Sequence, residues 1–284
     1  MFDPHRLLGL KFDEVVQSYT ARDTMLYALG LGLGRDPLDA LELRYVYEAE
    51  LQALPTMAVV FGHPGPWGAD PALGIDNPRV LHAAMEVSLS RPLPAAGTLR
   101  ARERVVAFVD KGQAKGALMV TERHIAEDAS GEPLAVLRST AMLRGNGGSG
   151  VVVGAMAAPH VMPVRAPDDT AQLSTLPGQA LLYRLSGDYN PLHADPALAM
   201  SVGFDRPILH GLCTFGMAIA SLVRTWCGGD AQRLRRMAVR WTAPVMPGET
   251  LRVESWRDGQ QLSFRVFVPD RGVKVIDHGV AEFF

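Results

Sequence analysis

The chain has 284 residues, of which 48% are hydrophobic and 20% charged, and its formal net charge is −2. This is the composition of a folded globular protein long enough for two cores of average size, and it excludes a chain that is mainly disordered. A charge so close to zero produces no global field for nucleic acid or an anionic membrane, so we expect neither as a partner.

The absence of recognisable targeting signals and the low number of cysteines lead to the same expectation about the cellular compartment. No stretch approaches the ~18 consecutive apolar residues of a membrane span, and the N-terminus lacks the basic start and apolar run of a secretory signal. The last residues, Phe283 and Phe284, do not form a peroxisomal Ser-Lys-Leu address. Cys213 and Cys227 are too few for a disulfide framework or a zinc cage. We therefore expect a cytoplasmic protein.

A faint internal repeat has an offset of about 150 residues. Residues 92–100, Pro-Leu-Pro-Ala-Ala-Gly-Thr-Leu-Arg, resemble residues 244–252, Pro-Val-Met-Pro-Gly-Glu-Thr-Leu-Arg. Each copy opens a series of segments with period-two alternation broken by Asp/Gly turns, which predicts antiparallel hairpins. A second echo relates residues 27–32 to residues 183–188. The chain therefore reads as two copies of one plan.

The best linker by composition is the Gly-rich stretch 145–150, which is followed by Ala and Pro up to residue 167. We place the boundary there, giving an N-terminal half over 1–150 and a C-terminal half over 151–284. Each half is predicted to begin with a helix, over 20–31 and 175–185, and to continue with strands. That order favours the α+β class over an alternating doubly wound plan.

Residues 211–226 are apolar on nearly all faces, which is typical of a helix buried by surrounding structure. A curved antiparallel sheet wrapped around one such helix is the hot-dog arrangement, and two halves predict a tandem hot-dog fold. The first half has no equally good helix, because the candidate over 79–89 is shorter and carries His82 and Glu86. We expect its central helix to be reduced, with room for a bulky ligand.

One short loop concentrates groups that can perform acid/base chemistry. Asp188, Asn190 and His193 are closely spaced, and Pro191 stiffens the segment between them. Such a set can hold water, orient it and move a proton next to a polarised carbonyl. Asp195 suits an N-cap for a short helix over 196–202, which would hold His193 against a fixed helix start.

Other interpretations of these residues remain open. Asp, Asn, Gly and Pro are the usual turn formers, so the loop also reads as an Asx-rich turn. Metal ligation is a further alternative, for which the candidate ligands are Asp188, His193, Asp195 and His210. These residues lack a recurrent spacing such as His-Glu-x-x-His, so we predict no metal. His210 also reads as a satisfied histidine at a helix start. Gly211 either presents its N–H as an oxyanion hole or serves close helix packing.

The segments 183–193 and 204–216 resemble the signature of hydratase 2, the R-specific enoyl-CoA hydratases of the MaoC-like group, in their two-domain form. The similarity extends over nearly the whole chain. It includes Tyr27-Ala-Leu-Gly, Tyr47-Glu48, Leu54-Pro-Thr56, Val80-Leu-His82, Pro92-Leu-Pro, Asp110-Lys-Gly112 and Pro247-Gly248.

The resemblance implies reversible syn addition of water to a trans-2-enoyl-CoA, giving a (3R)-3-hydroxyacyl-CoA of fatty acyl-CoA metabolism. It implies that Asp188 and His193 hold and activate the water and that Asn190 supports their geometry. The Gly211 N–H would bind the thioester oxygen. No cofactor is implied beyond the CoA carried by the acyl-CoA substrate, and a homodimer is usual in families that look like this.

For the substrate and its CoA moiety, the family pattern indicates a further set of positions: His82, Ala83, Lys111, Tyr189, Pro191, Leu192 and Trp241. Lys111 is a plausible phosphate partner, and the Arg run at 233, 235 and 236 either adds charge or forms a solvated face. The chain departs from the family where Leu-His-Gly-Glu-Gln is common, because it has Leu81-His-Ala-Ala-Met85. Loss of the Gly and of two polar side chains removes backbone freedom and hydrogen-bonding groups beside the expected pocket, so the departure bears on ligand contacts and acyl specificity. It also keeps open a non-catalytic acyl-CoA-binding module. A hot-dog acyl-CoA thioesterase is a further alternative, because other hot-dog proteins with this fold hydrolyse thioesters.

Overall fold

The computed structural model describes residues 2–284. Its centre is a single antiparallel sheet of 11 strands. The strands are β1 (Val15–Tyr19), β2 (Val80–Leu89), β3 (Gly97–Asp110), β4 (Ala117–Glu127), β5 (Pro133–Leu143), β6 (Val152–Val153), β7 (Asp169–Ser174), β8 (Leu234–Trp241), β9 (Thr250–Asp258), β10 (Gln261–Val268) and β11 (Val273–Phe283).

Six α-helices accompany the sheet: α1 (Pro4–Leu8), α2 (Ala21–Gly30), α3 (Ala40–Val46), α4 (Gln179–Tyr183), α5 (Pro196–Ser201) and α6 (Gly211–Cys227). The connections contain 3₁₀ turns at Pro55–Val60, Trp67–Ala69, Pro71–Leu73, Asn77–Arg79, Arg184–Ser186, Pro191–His193, Ala231–Arg233 and Pro269–Arg271. The predicted α+β class is therefore confirmed. Within residues 2–284, no helix combines the length and apolarity needed to cross a bilayer.

The strands form two blocks with the same internal order. Counted from its outer edge to the centre of the sheet, the first block runs β1-β3-β4-β5-β2 and the second runs β7-β9-β10-β11-β8. The blocks meet at the centre, where β2 pairs with β8. The short strand β6 lies beyond residue 150 yet pairs with β3 of the first block. Because one sheet continues through both blocks, the division at residue 150 stays a prediction.

Helix α6 is the central helix of the second block, as its all-round apolar sequence predicts. Cys213, Phe215, Ala218 and Ile219 are completely buried in it. Burying a side chain as large as Phe or Ile contributes ~1.5–3 kcal/mol, so this helix is stabilised mainly by packing. The helix also fixes Gly211 at its first turn, beside the loop that carries Asp188 and His193.

The prediction of a short central helix over 79–89 is wrong, because these residues form strand β2. Met85, Val87 and Leu89 are buried in alternation, and β2 is hydrogen-bonded on one side to β5 and on the other to β8. Two neighbouring strands thus satisfy its backbone groups, which overrides the weak helical pattern. The face of the first block is covered instead by residues 55–79, which contain four 3₁₀ turns and which we call the 3₁₀ segment.

Candidate active site

The loop that carries the predicted acid/base residues is fixed at both ends. It begins at Gly187, whose φ of +121° is a conformation that favours glycine. The Asn190 carboxamide oxygen accepts from the Leu192 N–H at 3.0 Å, so Asn190 shapes the turn. Asp195 accepts from the Ala197 and Leu198 N–H groups and caps α5, as predicted. The Asx-turn and the catalytic interpretation are therefore compatible, because the turn positions the side chains.

His193 is held in one tautomer by a backbone carbonyl. Its Nδ1 lies 2.8 Å from the Ile208 carbonyl oxygen, and the residue is only 9% exposed. Because a carbonyl can only accept, Nδ1 must carry the proton, and the neutral ring keeps its Nε2 lone pair free. Burial lowers the pKa of His193, although the Ile208 hydrogen bond and the Asp188 charge oppose that effect. The ring is thus a neutral base at pH 7.

His210 stacks on His193 and contacts the backbone of the same loop. The two ring centroids are 3.7 Å apart, and the His210 Nε2 donates to the Asp188 carbonyl oxygen at 3.1 Å. Burial, followed by the neighbouring charge of His193, lowers the pKa of His210 to about 4. The expectation of a satisfied histidine is met only at Nε2, since the buried Nδ1 has no partner among residues 2–284.

Gly211 opens α6 directly beside the indole of Trp241. A Cβ added there would lie 3.0 Å from the Trp241 ring, and the Trp241 Nε1 donates to the Gly211 carbonyl at 2.9 Å. Close packing therefore accounts for the glycine. Its N–H has no acceptor in the described part of the chain and lies at the positive end of the helix dipole. Both interpretations of this residue fit the geometry.

A cavity of about 320 Å³ adjoins the loop. Gly187, Asp188 and Leu212 lie at one side of it, the inner face of strands β2 to β5 forms its floor, and the 3₁₀ segment covers it. A larger cavity of about 640 Å³ lies between residues 31–35, which follow α2, and α3, β7 and the second part of α6. None of the predicted site residues lines that larger space, whereas Asp188 and His82 line the smaller one. The smaller cavity is therefore the candidate site.

The proposed acyl-CoA contacts are only partly brought together. His82 lines the cavity, with its ring centroid 4.3 Å from that of Trp241 and its Nε2 2.9 Å from the Ser139 hydroxyl. Desolvation lowers the pKa of the His82 imidazole, although the residue keeps an exposed surface. Ala83 lies at a bulge of β2 between the residues that pair with β5. Trp241 is half-buried between His82 and the start of α6.

Other members of the predicted set lie further out. Tyr189 is 57% exposed beneath the Arg184 guanidinium, Pro191 is exposed, and Leu192 is half-buried. Lys111 is exposed in the turn between β3 and β4 and does not line the cavity. Its assignment to the CoA phosphates therefore stays a prediction.

The Arg run at residues 233–236 is occupied by contacts within the fold. Arg236 pairs with Glu86 and Glu282, and Arg235 also pairs with Glu282. The Arg233 guanidinium lies over the Phe283 ring. These contacts favour the interpretation of the run as a structural, solvated face.

Sequence reasoning missed the polar side chains of the cavity. They are His63, Asn77, Glu103, Thr121, Arg123 and Ser139. A signal exists for two of them, because the alternation of β3 and β4 places Glu103 and Arg123 among inward-facing positions. No local pattern shows that the 3₁₀ segment leaves open space above them.

Asp188, His193 and His210 could offer three ligand atoms within 4.8 Å of one another. Oδ1 of Asp188 accepts from the Asn190 N–H at 3.3 Å, and one nitrogen of each ring bonds a carbonyl oxygen. The atoms left are Oδ2 of Asp188, Nε2 of His193 and Nδ1 of His210. Imidazole lone pairs lie in the ring planes, and these rings are stacked with only 30° between them. The lone pairs therefore point side by side rather than toward one centre, a poor arrangement for a tetrahedral site.

Both halves of the chain match known families. Residues 158–278 match the model of the MaoC like domain, and residues 17–145 match that of the MFE-2 hydratase 2 N-terminal domain. A Mycobacterium tuberculosis protein named enoyl-CoA hydratase ChsH3 is 39% identical over 277 residues, 96% of each chain. The chain belongs to the MaoC-like family, in its two-domain hydratase 2 form.

Further relatives of this MaoC-like protein agree in sequence and fold. An Arabidopsis thaliana protein named enoyl-CoA hydratase 2, peroxisomal, is 37% identical over 97% of this chain and 94% of its own length. The crystal structure of a MaoC-like dehydratase from Phytophthora capsici has a TM-score of 0.87 and 33% identity, covering 99% of both chains. A Mycobacterium tuberculosis protein described as a double hotdog fold shares the fold alone, with a TM-score of 0.56 at 15% identity over 97% of both chains. The predicted tandem hot-dog fold is thus confirmed.

Proposed function

We propose that this MaoC-like protein is a hydro-lyase that adds water reversibly, in syn fashion, to a trans-2-enoyl-CoA to give a (3R)-3-hydroxyacyl-CoA. The observation that carries the proposal is the convergence of a carboxylate, a neutral imidazole and a helix N-terminus beside one cavity. Asp188, His193 and Gly211 supply these groups; Asp188 lines the cavity, His193 has a ligand atom within 4.8 Å of the Asp188 carboxylate, and Gly211 follows His210 in the chain. The family and the names of its relatives support the same reaction class.

The tautomer of His193 determines how water would be used. Its Nε2 and the Asp188 carboxylate both act as acceptors, so one water molecule can donate a hydrogen bond to each and direct its oxygen lone pair at C3. As the C3–O bond forms, one water proton passes to this pair. The same proton is then delivered to C2 on the same face, which gives syn addition with all atoms balanced.

The thioester oxygen gains negative charge as water attacks C3. The Gly211 N–H, at the positive end of the α6 dipole, is the donor that we assign to this oxygen. Donors aimed at developing charge act on the transition state more than on the ground state. Asn190 supports the geometry by holding the turn that places Asp188 and His193.

The proposal includes no cofactor, because the CoA is part of the substrate and both proton movements are assigned to protein groups. Turnover should then be unchanged after dialysis against EDTA. It further includes acyl-CoA contacts at the predicted positions, a homodimer and a cytoplasmic location. Light scattering on the purified protein tests the homodimer, and imaging of the tagged protein in its own cells tests the location.

The direct test is an assay of purified protein with crotonyl-CoA and longer trans-2-enoyl-CoAs. We expect loss of absorbance of the conjugated thioester, with the 3R alcohol found by chiral analysis. Unchanged absorbance with every chain length would contradict the proposal. Free thiol release from acyl-CoA would instead indicate thioester hydrolysis, and binding without turnover would indicate an acyl-CoA-binding module.

A further inference from the structure

The cavity beside Asp188 contains a charged pair far from the reacting groups. The Arg123 Nε and the Glu103 Oε2 are 2.7 Å apart, and their side chains are only 9% and 4% exposed. Both residues line the cavity. Much of the remaining lining is apolar, with Val59, Val60, Met119 and Leu143 among it. The cavity therefore has a mixed lining, in which this ion pair lies among apolar side chains and uncharged polar ones.

The sheet register places this pair away from the thioester. Glu103 and Arg123 face each other across β3 and β4, whereas His82 belongs to β2. In the sheet order β3-β4-β5-β2, Arg123 on β4 lies two strand spacings from β2, about 10 Å, and Glu103 on β3 lies three spacings away, about 14 Å. A ligand whose reacting carbons lie at Asp188 and His82 would meet the pair only with a distal part of its acyl group.

The pair keeps hydrogen-bonding capacity that the protein does not use. The Nε and the second guanidinium nitrogen of Arg123 both contact Oε2 of Glu103, and the remaining nitrogen donates to the Phe61 carbonyl at 2.9 Å. Oε1 of Glu103 accepts from no group within residues 2–284, and this atom keeps some accessible surface. The pair thus offers a ligand a strong acceptor beside a guanidinium that retains free N–H groups.

An unsubstituted alkyl chain is a poor ligand for the part of the cavity that is formed by Glu103 and Arg123. Burying an ion pair costs desolvation, and well-packed apolar residues of similar volume are often as stable or more so. An alkyl chain packed on the pair would also leave Glu103 Oε1 without any partner, which is costly for a charged group. A hydroxyl group fits, because it can donate to Glu103 and accept from Arg123.

We propose that Glu103 and Arg123 select enoyl-CoA substrates whose acyl group carries a hydroxyl on its distal part. This inference rests on the proposed hydration reaction and adds the substrate class. The competing explanation is purely structural, since Arg123 also ties the 3₁₀ segment to the sheet through Phe61. A structural role would change the turnover of all substrates alike, whereas a selective role changes their ratio.

The test compares two trans-2-enoyl-CoAs of equal length, one unsubstituted and one with a distal hydroxyl. We expect the hydroxylated substrate to have a kcat/KM at least about tenfold higher, the effect of one charge-assisted hydrogen bond. In the double variant Glu103→Leu with Arg123→Met, that preference should disappear or reverse. The ratio is measured within one preparation, so it does not depend on the fraction of active protein.

A matched control lies at the next register position on the outer face of the same strands. Arg104 pairs with Glu122 there and is largely exposed, so Arg104→Met with Glu122→Leu should leave the ratio unchanged. If the inner double variant does not fold, Glu103→Gln preserves the volume and should lower the preference alone.

Three outcomes separate the two proposals. Equal kcat/KM for both substrates in the wild type, or a preference unaffected by Glu103→Gln, would overturn the selectivity while leaving the hydratase intact. Absence of turnover with any enoyl-CoA would instead overturn the proposed function.

Discussion

The two halves of the molecule have the same strand order but cover their sheets differently. The second block packs against α6, whose internal hydrogen bonds satisfy its backbone, so that the helix can be apolar on almost every side. The first block is covered by the 3₁₀ segment, whose short turns pack less continuously and leave a cavity. In the proposed reaction, the second half supplies the acid/base groups on a fixed loop, and the first half supplies the cavity for the acyl group.

The two similar segments near the start of each half, residues 27–32 and 183–188, also differ in what they contribute. The Tyr27 and Tyr183 rings lie 5.9 Å apart, and the Gln179 side chain donates to the Gly30 carbonyl. Equivalent segments therefore pack against each other near the centre of the molecule. Only the second continues into a loop with Asp and His, so one loop is expected to serve both halves.

The largest expected effect follows from removing the acid/base groups of the second half. Asp188→Asn or His193→Ala should lower kcat by at least about 100-fold, within the range for a lost general acid or base. Steady-state kinetics with crotonyl-CoA measures this loss, and circular dichroism checks that the fold is retained. His124→Gln, an exposed histidine of the first half, is the matched control and should leave kcat unchanged. If Asp188→Asn retained full activity, the division of labour between the halves would be wrong.

A smaller loss is expected from Gly211→Ala. The new Cβ would lie 3.0 Å from the Trp241 ring and force the indole or the first turn of α6 to shift. We expect kcat to fall by roughly tenfold, short of the ~100-fold loss that follows complete removal of an oxyanion donor. The KM should change less than kcat, because the interaction strengthens in the transition state. A change in KM alone would indicate that Gly211 serves packing and binding only.

The smallest effect concerns the stability of the second half in acid. The pKa of His210 is about 4 in the folded protein against an ordinary value of 6.5, so the unfolded chain takes up the proton first as pH falls. The free energy of unfolding should therefore decrease between pH 6.5 and pH 4, by on the order of 2 kcal/mol at pH 5 from this residue. Urea denaturation at pH 7.5 and pH 5 measures the decrease.

The variant His210→Gln can place an amide N–H donor near the position of the imidazole Nε2, which bonds the Asp188 carbonyl, and it removes the titrating ring. It should reduce the difference in unfolding free energy between the two pH values, even if it lowers stability at both. An unchanged difference would show that His210 is not the source of the acid sensitivity.

Local patterns in the sequence were sufficient for the parts of the site built from neighbouring residues. Asp195 followed by Pro196 predicted the start of α5, and the apolar run after Gly211 predicted α6. The loop from Asp188 to His193 was recognisable because Asx turns and caps are formed within a few residues. The sequence therefore determined by itself where the proposed acid/base groups lie and which helix begins beside them.

Tertiary structure decided what depends on distant partners. Residues 80–89 form a strand because β5 and β8 take up their backbone hydrogen bonds, and neither strand is adjacent in sequence. The tautomer of His193 depends on the Ile208 carbonyl, and its neutral state depends on burial. The charged wall of the cavity required Glu103 and Arg123 to pair across two strands beneath the 3₁₀ segment. Hydrogen bonding and desolvation act through space, so a pattern along the chain specifies the reacting groups but not the environment that tunes them.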